Sequence, residues 1–237
     1  MISYKILQYN TDGLRHGWDY FKKNIDNADL AVLQRFPRKY KGDLMNLMSG
    51  CRSYMVESCP PEDLCLAIAR SKDCSTFNSI DSITLPSAQH VMAVGDRFQG
   101  CTALKVVLGS VNVISFLPCY QTEGGEFPIS FAETKADVKY LLEMFKDEPT
   151  VIIGDFHADP NCNMINDVIK INGFKSYLDK HNTFRKSGTD EFFNLDKCIS
   201  NIDITLSGIS VDDVSDGHGH MAITYTLHIN NRGKNNE

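Results

Sequence analysis

The sequence predicts an α/β fold in which helices cover mixed β-sheets. Apolar segments of strand length alternate along the chain with amphipathic segments of helix length, as they do in β-α-β units. Two further strand-like segments, 101–108 and 111–117, are separated only by Gly109-Ser110, which is a hairpin signal. Because β-α-β connections give parallel strand pairs and hairpins give antiparallel ones, the sheets should contain both.

The first half of the chain contains segments with a recognisable period. They are a strand at 4–9, a helix at 16–26, a strand at 30–33, a helix at 40–48 and a strand at 64–69. The first helix carries Trp18, Phe21 and Ile25 on one face, as an amphipathic helix does. The stretch 71–100 is polar and irregular, and no element is predicted there.

The second half continues after the hairpin with helices and strands. They are a helix at 130–146, a strand at 150–153, a helix at 164–172 and a strand at 222–229. Ser130 and Glu133 have the spacing of a capping box, and Gly173 closes the helix at 164–172. The last strand alternates apolar and polar residues strictly, which predicts that one face is buried.

The length and charge of the chain limit its organisation and its partners. With 237 residues it is long enough for one large domain, predicted at 1–229, followed by a polar tail at 230–237 that is expected to be disordered. Its 24 basic and 30 acidic residues give a formal net charge of −6. This balance argues against a protein that coats DNA through a generally basic surface, although an enzyme for phosphate esters needs positive charge only locally. We expect a monomer.

The cysteines and the apolar segments indicate an intracellular protein. None of the eight cysteines forms a Cys-x-x-Cys pair, so a zinc ribbon is not indicated. Cys65, Cys101 and Cys198 lie in apolar segments and should be buried free thiols, as in a reducing compartment. No signal peptide is recognised, and no segment approaches the roughly 18 apolar residues of a membrane span. The expected location is the cytoplasm, with no membrane partner.

Polar residues directly follow three of the predicted strands. They are Asn10 and Asp12 after the first strand, Gln34 and Arg35 after the second, and Asp155 and His157 after the strand at 150–153. Polar side chains at neighbouring strand ends can meet in a shared cleft, which is how a rigid sheet presents a reaction centre. Each of them taken singly could equally be the solvated start of a loop.

A second polar cluster, Ser215-Asp216-Gly217-His218-Gly219-His220, leads directly into the last strand. In an extended backbone, His218 and His220 face the same side. Either histidine could ligate a metal or act as a general base. The alternative is a flexible polar turn without a chemical role.

Several short segments stand in an order and at spacings that are typical of one protein family. In chain order they include Asn10-Thr11-Asp12-Gly13-Leu14, Leu33-Gln34, Ser115-Phe116-Leu117-Pro118, Gly154-Asp155-Phe156-His157, Thr183-Phe184, Leu195-Asp196-Lys197-Cys198 and Gly219-His220-Met221-Ala222. Across residues 4–228 they resemble the endonuclease/exonuclease/phosphatase family, which has the deoxyribonuclease I-like fold. The resemblance implies a four-layer α/β/β/α arrangement, in which helices flank a sandwich of two mixed β-sheets.

The resemblance also implies hydrolysis of a phosphate ester with a divalent metal, Mg²⁺ or Mn²⁺. His220 would take a proton from the attacking water, and Asp196 would orient that histidine. Asp155 would hold the water or the metal. Asn10 and His157 would contact the phosphate oxygens.

The family pattern is broken at the residue that usually binds the metal. Arg35 stands where the family has a glutamate, although Mg²⁺ requires carboxylate oxygens. A guanidinium could instead supply the positive charge that a metal supplies elsewhere, so Arg35 is a candidate phosphate ligand together with Asn10 and Asp12. In addition, Phe116 and Cys119 replace a tyrosine and an asparagine of the family.

The closing Asp-His pair of the family also departs from its usual form. It corresponds either to His220, which is preceded by a glycine instead of the acid, or to Asp216 with His218, which would need a shifted loop. We expect His220 to be the family histidine, because the residues after it run directly into the last strand. Asp216 and His218 could then join Asp155 as metal ligands, or the histidines could form a softer metal site.

Two functions are compatible with these residues. The first is a divergent phosphodiesterase or nuclease that acts on a nucleic acid or a nucleotide, and it is supported by the retention of Asn10, Asp12, Asp155, Asp196 and His220. The second is an inactive member of the fold that binds a phosphate-bearing or protein partner, and loss of the glutamate supports it. The basic stretch 35–41 is accordingly either a phosphate-binding loop or a solvated one.

Overall fold

The computed structural model of the chain describes residues 1–11, 18–47, 52–59, 64–71, 74, 77–87, 102–118, 131–156, 163–186, 188–214 and 219–230. The helices are α1 (Trp18–Ile25), α2 (Lys41–Leu47), α3 (Phe131–Phe145) and α4 (Asn163–Ile171), with a short 3₁₀ helix at Arg38–Tyr40. The strands of the first half are β1 (Ile2–Asn10), β2 (Leu30–Pro37), β3 (Arg52–Cys59), β4 (Leu64–Arg70), β5 (Phe77–Thr84), β6 (Thr102–Leu108) and β7 (Val111–Phe116). The strands of the second half are β8 (Thr150–Asp155), β9 (Lys175–Ser176), β10 (Phe184–Arg185), β11 (Phe192–Phe193), β12 (Asp196–Ser200), β13 (Ile204–Asp212), β14 (Gly219–His220) and β15 (Ala222–Ile229).

Two large sheets and one small sheet organise these strands. The first large sheet has the order β13-β15-β1-β2-β4-β3, and the second has the order β5-β6-β7-β8-β12-β9. β1 is parallel to β2 and β7 is parallel to β8, whereas β1 is antiparallel to β15 and β8 is antiparallel to β12. Both large sheets are therefore mixed, as the sequence predicts. The small sheet has the order β11-β10-β14.

The two large sheets pack face to face, and helices cover their outer faces. The core between them contains buried side chains of both sheets, such as Leu30 from the first and Val113 from the second. Phe21 of α1 packs on the outer face of the first sheet. Leu141 of α3 and Ile169 of α4 pack on the outer face of the second. This is the four-layer α/β/β/α arrangement that the resemblance implies.

Each predicted helix and strand is present in the described part of the chain. The inner side chains of β15, from Ile223 to Ile229, line the core between the sheets, as the alternation predicts. Gly173 ends α4 with φ +77°, and the N–H of Phe174 donates to the carbonyl of Ile169 at 3.1 Å. The predicted capping residue Ser130 and the tail at 231–237 lie outside the described residues.

The sequence prediction misses the short strands β9, β10, β11 and β14, and also β12, which is buried and lies between β8 and β9. It also misses β3, β5 and β13, which lie at an edge of a large sheet. An edge strand is covered less completely than a central one, so it needs fewer apolar side chains. Of the residues in β5, only Phe77 and Ile83 are buried. Such a strand shows no alternation of apolar and polar residues from which it could be recognised.

The described residues support the expectation for two of the cysteines. Cys65 and Cys198 are buried free thiols, and burial raises the pKa of the Cys198 thiol to about 12. Cys101 lies outside the described residues. Where the structure describes helices, none of them is long and apolar enough to cross a membrane.

Candidate active site

The core between the two large sheets changes from apolar to polar towards the carboxyl ends of β1 and β8. On the inner face of β1, Ile6 is followed by Gln8 and Asn10, because side chains two residues apart share a face of a strand. On the inner face of β8, Ile153 is followed by Asp155. The amide of Asn10 donates to Oδ2 of Asp155 at 3.0 Å, which joins the two sheets at this end of the sandwich.

Two aspartates face each other at the polar end of the second sheet. Asp155, the last residue of β8, is the register partner of Asp196, the first residue of β12. The two residues are 0 % and 1 % exposed. Like charges directly opposite each other on antiparallel strands are destabilising. The pair therefore requires a positive group or a proton beside it.

His220 lies between these two carboxyl groups. It belongs to β14 of the small sheet and is 9 % exposed. Its Nδ1 lies 3.1 Å from Oδ2 of Asp196, and its Nε2 lies 3.3 Å from Oδ2 of Asp155. The imidazole thus faces a carboxyl group on each side, and Asp196, His220, Asp155 and Asn10 form a continuous buried polar chain.

Burial is the main influence on the Asp196 carboxyl. It raises the pKa of this carboxyl above the ordinary value, His220 opposes the shift through its charge and hydrogen bond, and the Asp155 carboxylate adds to it. Oδ1 of Asp196 is buried and has no hydrogen-bond partner among the described residues. A buried carboxyl oxygen in this state is an acceptor available to a cation or to a donor group.

Two glycines shape the backbone beside the site. A Cβ on Gly154 would overlap the carbonyl oxygen of Phe116 on β7, so only glycine allows the two strands to approach as they do. Gly219 has φ +99°, a conformation that residues with a side chain rarely adopt. An aspartate at position 219, where the family has one, would be strained in this conformation.

Further buried polar side chains support the site from within the core. Gln8 donates through Nε2 to the carbonyl of Lys197 at 3.2 Å and accepts from the Tyr225 hydroxyl at 3.1 Å. Gln34 of β2 donates to the Ser115 hydroxyl of β7 at 3.2 Å. The bonds to Lys197 and Ser115 connect the first sheet to the second, whereas Tyr225 and Gln8 both belong to the first. No role was predicted for Gln8 or Tyr225, although strand periodicity, which places both on the inner face, could have indicated one.

Arg35 lies in a β-bulge near the end of β2. The register between β2 and β4 shifts between Leu33 and Phe36, and Arg35 has φ 49°, in the left-handed region. The hydroxyl of Thr11 donates to the carbonyl of Arg35 at 2.7 Å, which ties the bulge to the end of β1. A bulge re-aims the side chain that it carries. The bulge therefore changes the direction of the Arg35 side chain from the one that a regular strand would give at the position of the family glutamate.

Asp155, Asp196 and His220 could together hold a metal ion, because ligand atoms of the three lie within 4.8 Å of one another. Two buried carboxyl groups and an imidazole suit a divalent cation in charge and in atom type. Mg²⁺ is usually bound by one or two carboxylates, with water and substrate phosphate completing its shell. These donors fit such an ion, although Arg35 stands where the family supplies a further carboxylate.

The structure brings together four of the predicted site residues and places a fifth on the adjacent strand. The four in contact are Asn10, Asp155, Asp196 and His220, and the fifth is Arg35. The histidine that contacts Asp196 is His220, the residue expected from its position before the last strand. Four other predicted site residues, Asp12, His157, Asp216 and His218, lie outside the described residues. The chemical roles of all these residues remain predictions.

No family model matches the chain, and no curated protein sequence matches it either. Several solved structures are similar to it. An endonuclease/exonuclease/phosphatase from Beutenbergia cavernae DSM 12333 has a TM-score of 0.71 at 15 % identity, covering 97 % of this chain and 72 % of that one. D. rerio TDP2 complexed with a single-strand DNA product has a TM-score of 0.68 at 12 % identity, covering 96 % of this chain and 100 % of that one. An endonuclease/exonuclease/phosphatase family protein from Leptotrichia buccalis C-1013-b has a TM-score of 0.67 at 15 % identity, covering 95 % and 99 %.

Similarity at these identities establishes the fold. The chain has the fold of the endonuclease/exonuclease/phosphatase family, and the predicted resemblance is confirmed at that level. Because one fold hosts many functions, the activity has to be argued from the site.

Proposed function

We propose that this chain, which has the deoxyribonuclease I-like fold, hydrolyses a phosphodiester of a nucleic acid or a nucleotide with the help of Mg²⁺ or Mn²⁺. The observation that supports the proposal is the buried chain of Asp196, His220 and Asp155 at the polar end of the sandwich. A carboxylate on one side of an imidazole orients the ring, and a carboxylate on the other side can hold a water molecule.

The two ring nitrogens of His220 would have different tasks. Asp196 accepts the Nδ1 proton, which leaves Nε2 as the nitrogen that can take up a proton. Nε2 lies 3.3 Å from Oδ2 of Asp155, so a water held by this carboxyl group beside that contact would be within hydrogen-bond reach of Nε2. His220 takes a proton from that water while the water oxygen attacks phosphorus. The ester P–O bond then breaks, the leaving oxygen takes up a proton from solvent, and His220 returns its proton to solvent.

The other residues of the site would position the charged groups. Asp155 and Asp196 would hold the divalent ion, which when bound neutralises the negative charge that develops on the phosphate. Asn10 donates to Asp155 and keeps that carboxylate in place. Arg35, on the adjacent strand, would add a positive charge beside the phosphate.

A nucleic acid or nucleotide substrate is supported by one similar structure and by local charge. D. rerio TDP2 is seen with a single-strand DNA product. In this chain, Arg38, Lys39 and Lys41 follow Arg35 directly after the end of β2. This stretch concentrates positive charge in a chain whose formal net charge is −6. Local positive charge of this kind attracts a phosphate backbone.

A non-catalytic binding protein is the second candidate, and Arg35 is the observation that favours it. At about 4 Å and an effective dielectric constant near 20, one pair of unit charges is worth roughly 4 kcal/mol, and a divalent ion sees about twice that. Replacing an attractive carboxylate by a guanidinium would then prevent metal binding. In this case Mg²⁺ does not change the melting temperature of the protein, and Arg35→Glu creates a response to Mg²⁺. If both proteins respond alike, Arg35 is not the residue that prevents binding.

Turnover of a chromogenic phosphodiester, single-stranded DNA and nucleotides, each with Mg²⁺ or Mn²⁺, tests the enzymatic proposal. His220→Ala should lower kcat/KM at least about 100-fold, as loss of a general base does. His228→Ala is the matched control, because the His228 ring is hydrogen-bonded to the Ser3 and Ser207 hydroxyls near the far end of β15. It should leave turnover unchanged. No turnover of any substrate by the unaltered protein, or equal turnover by His220→Ala, would sink the proposal.

A further inference from the structure

Thr183 lies between the segments that carry Asp196 and His220. It is fully buried and directly precedes β10. Its hydroxyl oxygen accepts hydrogen bonds from the backbone N–H groups of Leu195, at 3.1 Å, and Asp196, at 3.0 Å. A hydroxyl oxygen has two acceptor lone pairs. Both are therefore used to fix the backbone at the first residue of β12, from which the Asp196 side chain projects.

The same short segment also holds His220. The carbonyl of Thr183 accepts from the N–H of Met221 at 2.7 Å, and Phe184 is the register partner of His220. The Phe184 ring meets the imidazole edge to face, with ring centroids 4.9 Å apart at an interplanar angle of 64°. Thr183 and its neighbour therefore fix both the backbone around His220 and the plane of its ring.

We propose that Thr183 is a positioning residue for the Asp196–His220 pair, which it binds through its hydroxyl on one side and its carbonyl on the other. Asp196 starts a strand of the second large sheet, whereas His220 belongs to the small sheet, so their separation depends on an anchor shared by both. A displacement of roughly 1 Å between reacting groups can lower a rate about 100-fold. The kinetic consequence rests on the proposed function, whereas the structural consequence does not.

Thr183→Val tests this role, since it removes the hydroxyl that accepts from Leu195 and Asp196 and keeps a similar shape. The hydrogen bonds of the Thr183 backbone, to the Phe193 carbonyl and from the Met221 N–H, do not depend on the side chain. Long-range ¹H–¹⁵N NMR spectra should show His220 protonated at Nδ1 in the unaltered protein and a mixture of tautomers in Thr183→Val. With a chromogenic phosphodiester, kcat should fall about 10- to 100-fold while KM stays within about threefold. Thr183→Ser retains the hydroxyl, so it should keep the Nδ1 tautomer and a kcat within about threefold of the unaltered protein.

Thr189→Val is the matched control. The Thr189 hydroxyl donates to the carbonyl of Lys186 at 3.1 Å and accepts from the N–H of Glu191 at 3.2 Å, in the exposed turn after β10. Its removal should change neither the His220 spectrum nor turnover. The role of Thr183 is refuted if Thr183→Val keeps the Nδ1 tautomer, or if Thr183→Ser loses it as Thr183→Val does. If the unaltered protein hydrolyses no phosphodiester, the proposed function fails, and the NMR comparison alone decides the role of Thr183.

Discussion

Gly154 is the position at which one added methyl group should most disturb the site. It is the register partner of Phe116 in the parallel pair β7–β8. A Cβ at this position would overlap the Phe116 carbonyl oxygen and would lie only 2.8 Å from the carbonyl carbon and 3.1 Å from the nitrogen. These are backbone atoms of a buried central strand, so they cannot rotate away as a flexible side chain would.

The size of the effect follows from this geometry. Ordinary van der Waals contact begins near 3.4 Å, so the two strands would have to separate at Phe116 to admit the methyl group. Overpacking of a well-packed interior costs about 1–3 kcal/mol, and a clash with backbone should reach the upper end, about 3 kcal/mol. In a protein of this size, that loss corresponds to a fall in Tm of roughly 6–12 °C for Gly154→Ala. Because Asp155 follows directly, its carboxyl should also move relative to His220.

Thermal and urea melts followed by circular dichroism measure this loss. Gly42→Ala is the matched control, because Gly42 lies in α2 and an added Cβ meets nothing within 4 Å. Replacing a helical glycine by alanine should stabilise the fold by about 0.5–1 kcal/mol. A Tm of Gly154→Ala within about 2 °C of the unaltered protein would refute the close approach of β7 and β8.

Two further substitutions test buried polar groups. Tyr225→Phe removes the donor to Oε1 of Gln8, so the free energy of unfolding should fall by about 1–3 kcal/mol in urea melts, and a loss below about 0.5 kcal/mol would contradict a structural role for this bond. Asp137 accepts from the N–H and the hydroxyl of Ser87, and burial raises the pKa of its carboxyl above the ordinary value. The folded protein therefore holds this proton more tightly than the unfolded chain, and the stability that Asp137 contributes is fully present below the ordinary pKa and is lost as the pH rises through the raised one. Since Asp137→Asn cannot ionise, its stability relative to the unaltered protein should increase in urea melts as the pH rises above about 4, the ordinary pKa, and a difference independent of pH would count against the raised pKa.

The elements that could be predicted are those whose burial leaves a pattern in the sequence. β15 has one face in the core between the sheets, so its residues alternate, and β8 is buried throughout, so it is a continuous apolar segment. β13 lies at an edge and buries only Ile204 fully, so it carries neither pattern. Local sequence periodicity therefore does not indicate such exposed edge strands. Burial alone does not ensure recognition either, since β12 is buried throughout but has only two apolar residues among its five.

Some residues of the candidate site could be predicted from the sequence and others could not. Asp155 could be predicted because it ends an apolar strand, and His220 because it lies in a polar cluster before the last strand. Asp196, and the pairing of His220 with it, depended on the family resemblance. Gln8 and Thr183 were given no role, because their partners are distant in sequence: Gln8 bonds to Lys197 and Thr183 bonds to the backbone of Asp196. Contacts of this kind arise from sheet packing, and no local motif encodes them.

The unfavourable features gathered at the polar end of the sandwich support the proposed proton transfer more than the alternative of a purely binding role. Asp155 and Asp196 face each other as like charges, Oδ1 of Asp196 is buried without a hydrogen-bond partner among the described residues, and Arg35 has a positive φ. Strain or an unpaired buried group of this kind costs about 1–3 kcal/mol. The fold itself does not need them, since Ile153 fills the same inner face of β8 with an apolar side chain. Costly features of this kind are retained where a function requires them. Both carboxyl groups contact the imidazole of His220. A surface that only binds phosphate does not require a histidine buried between two acidic side chains.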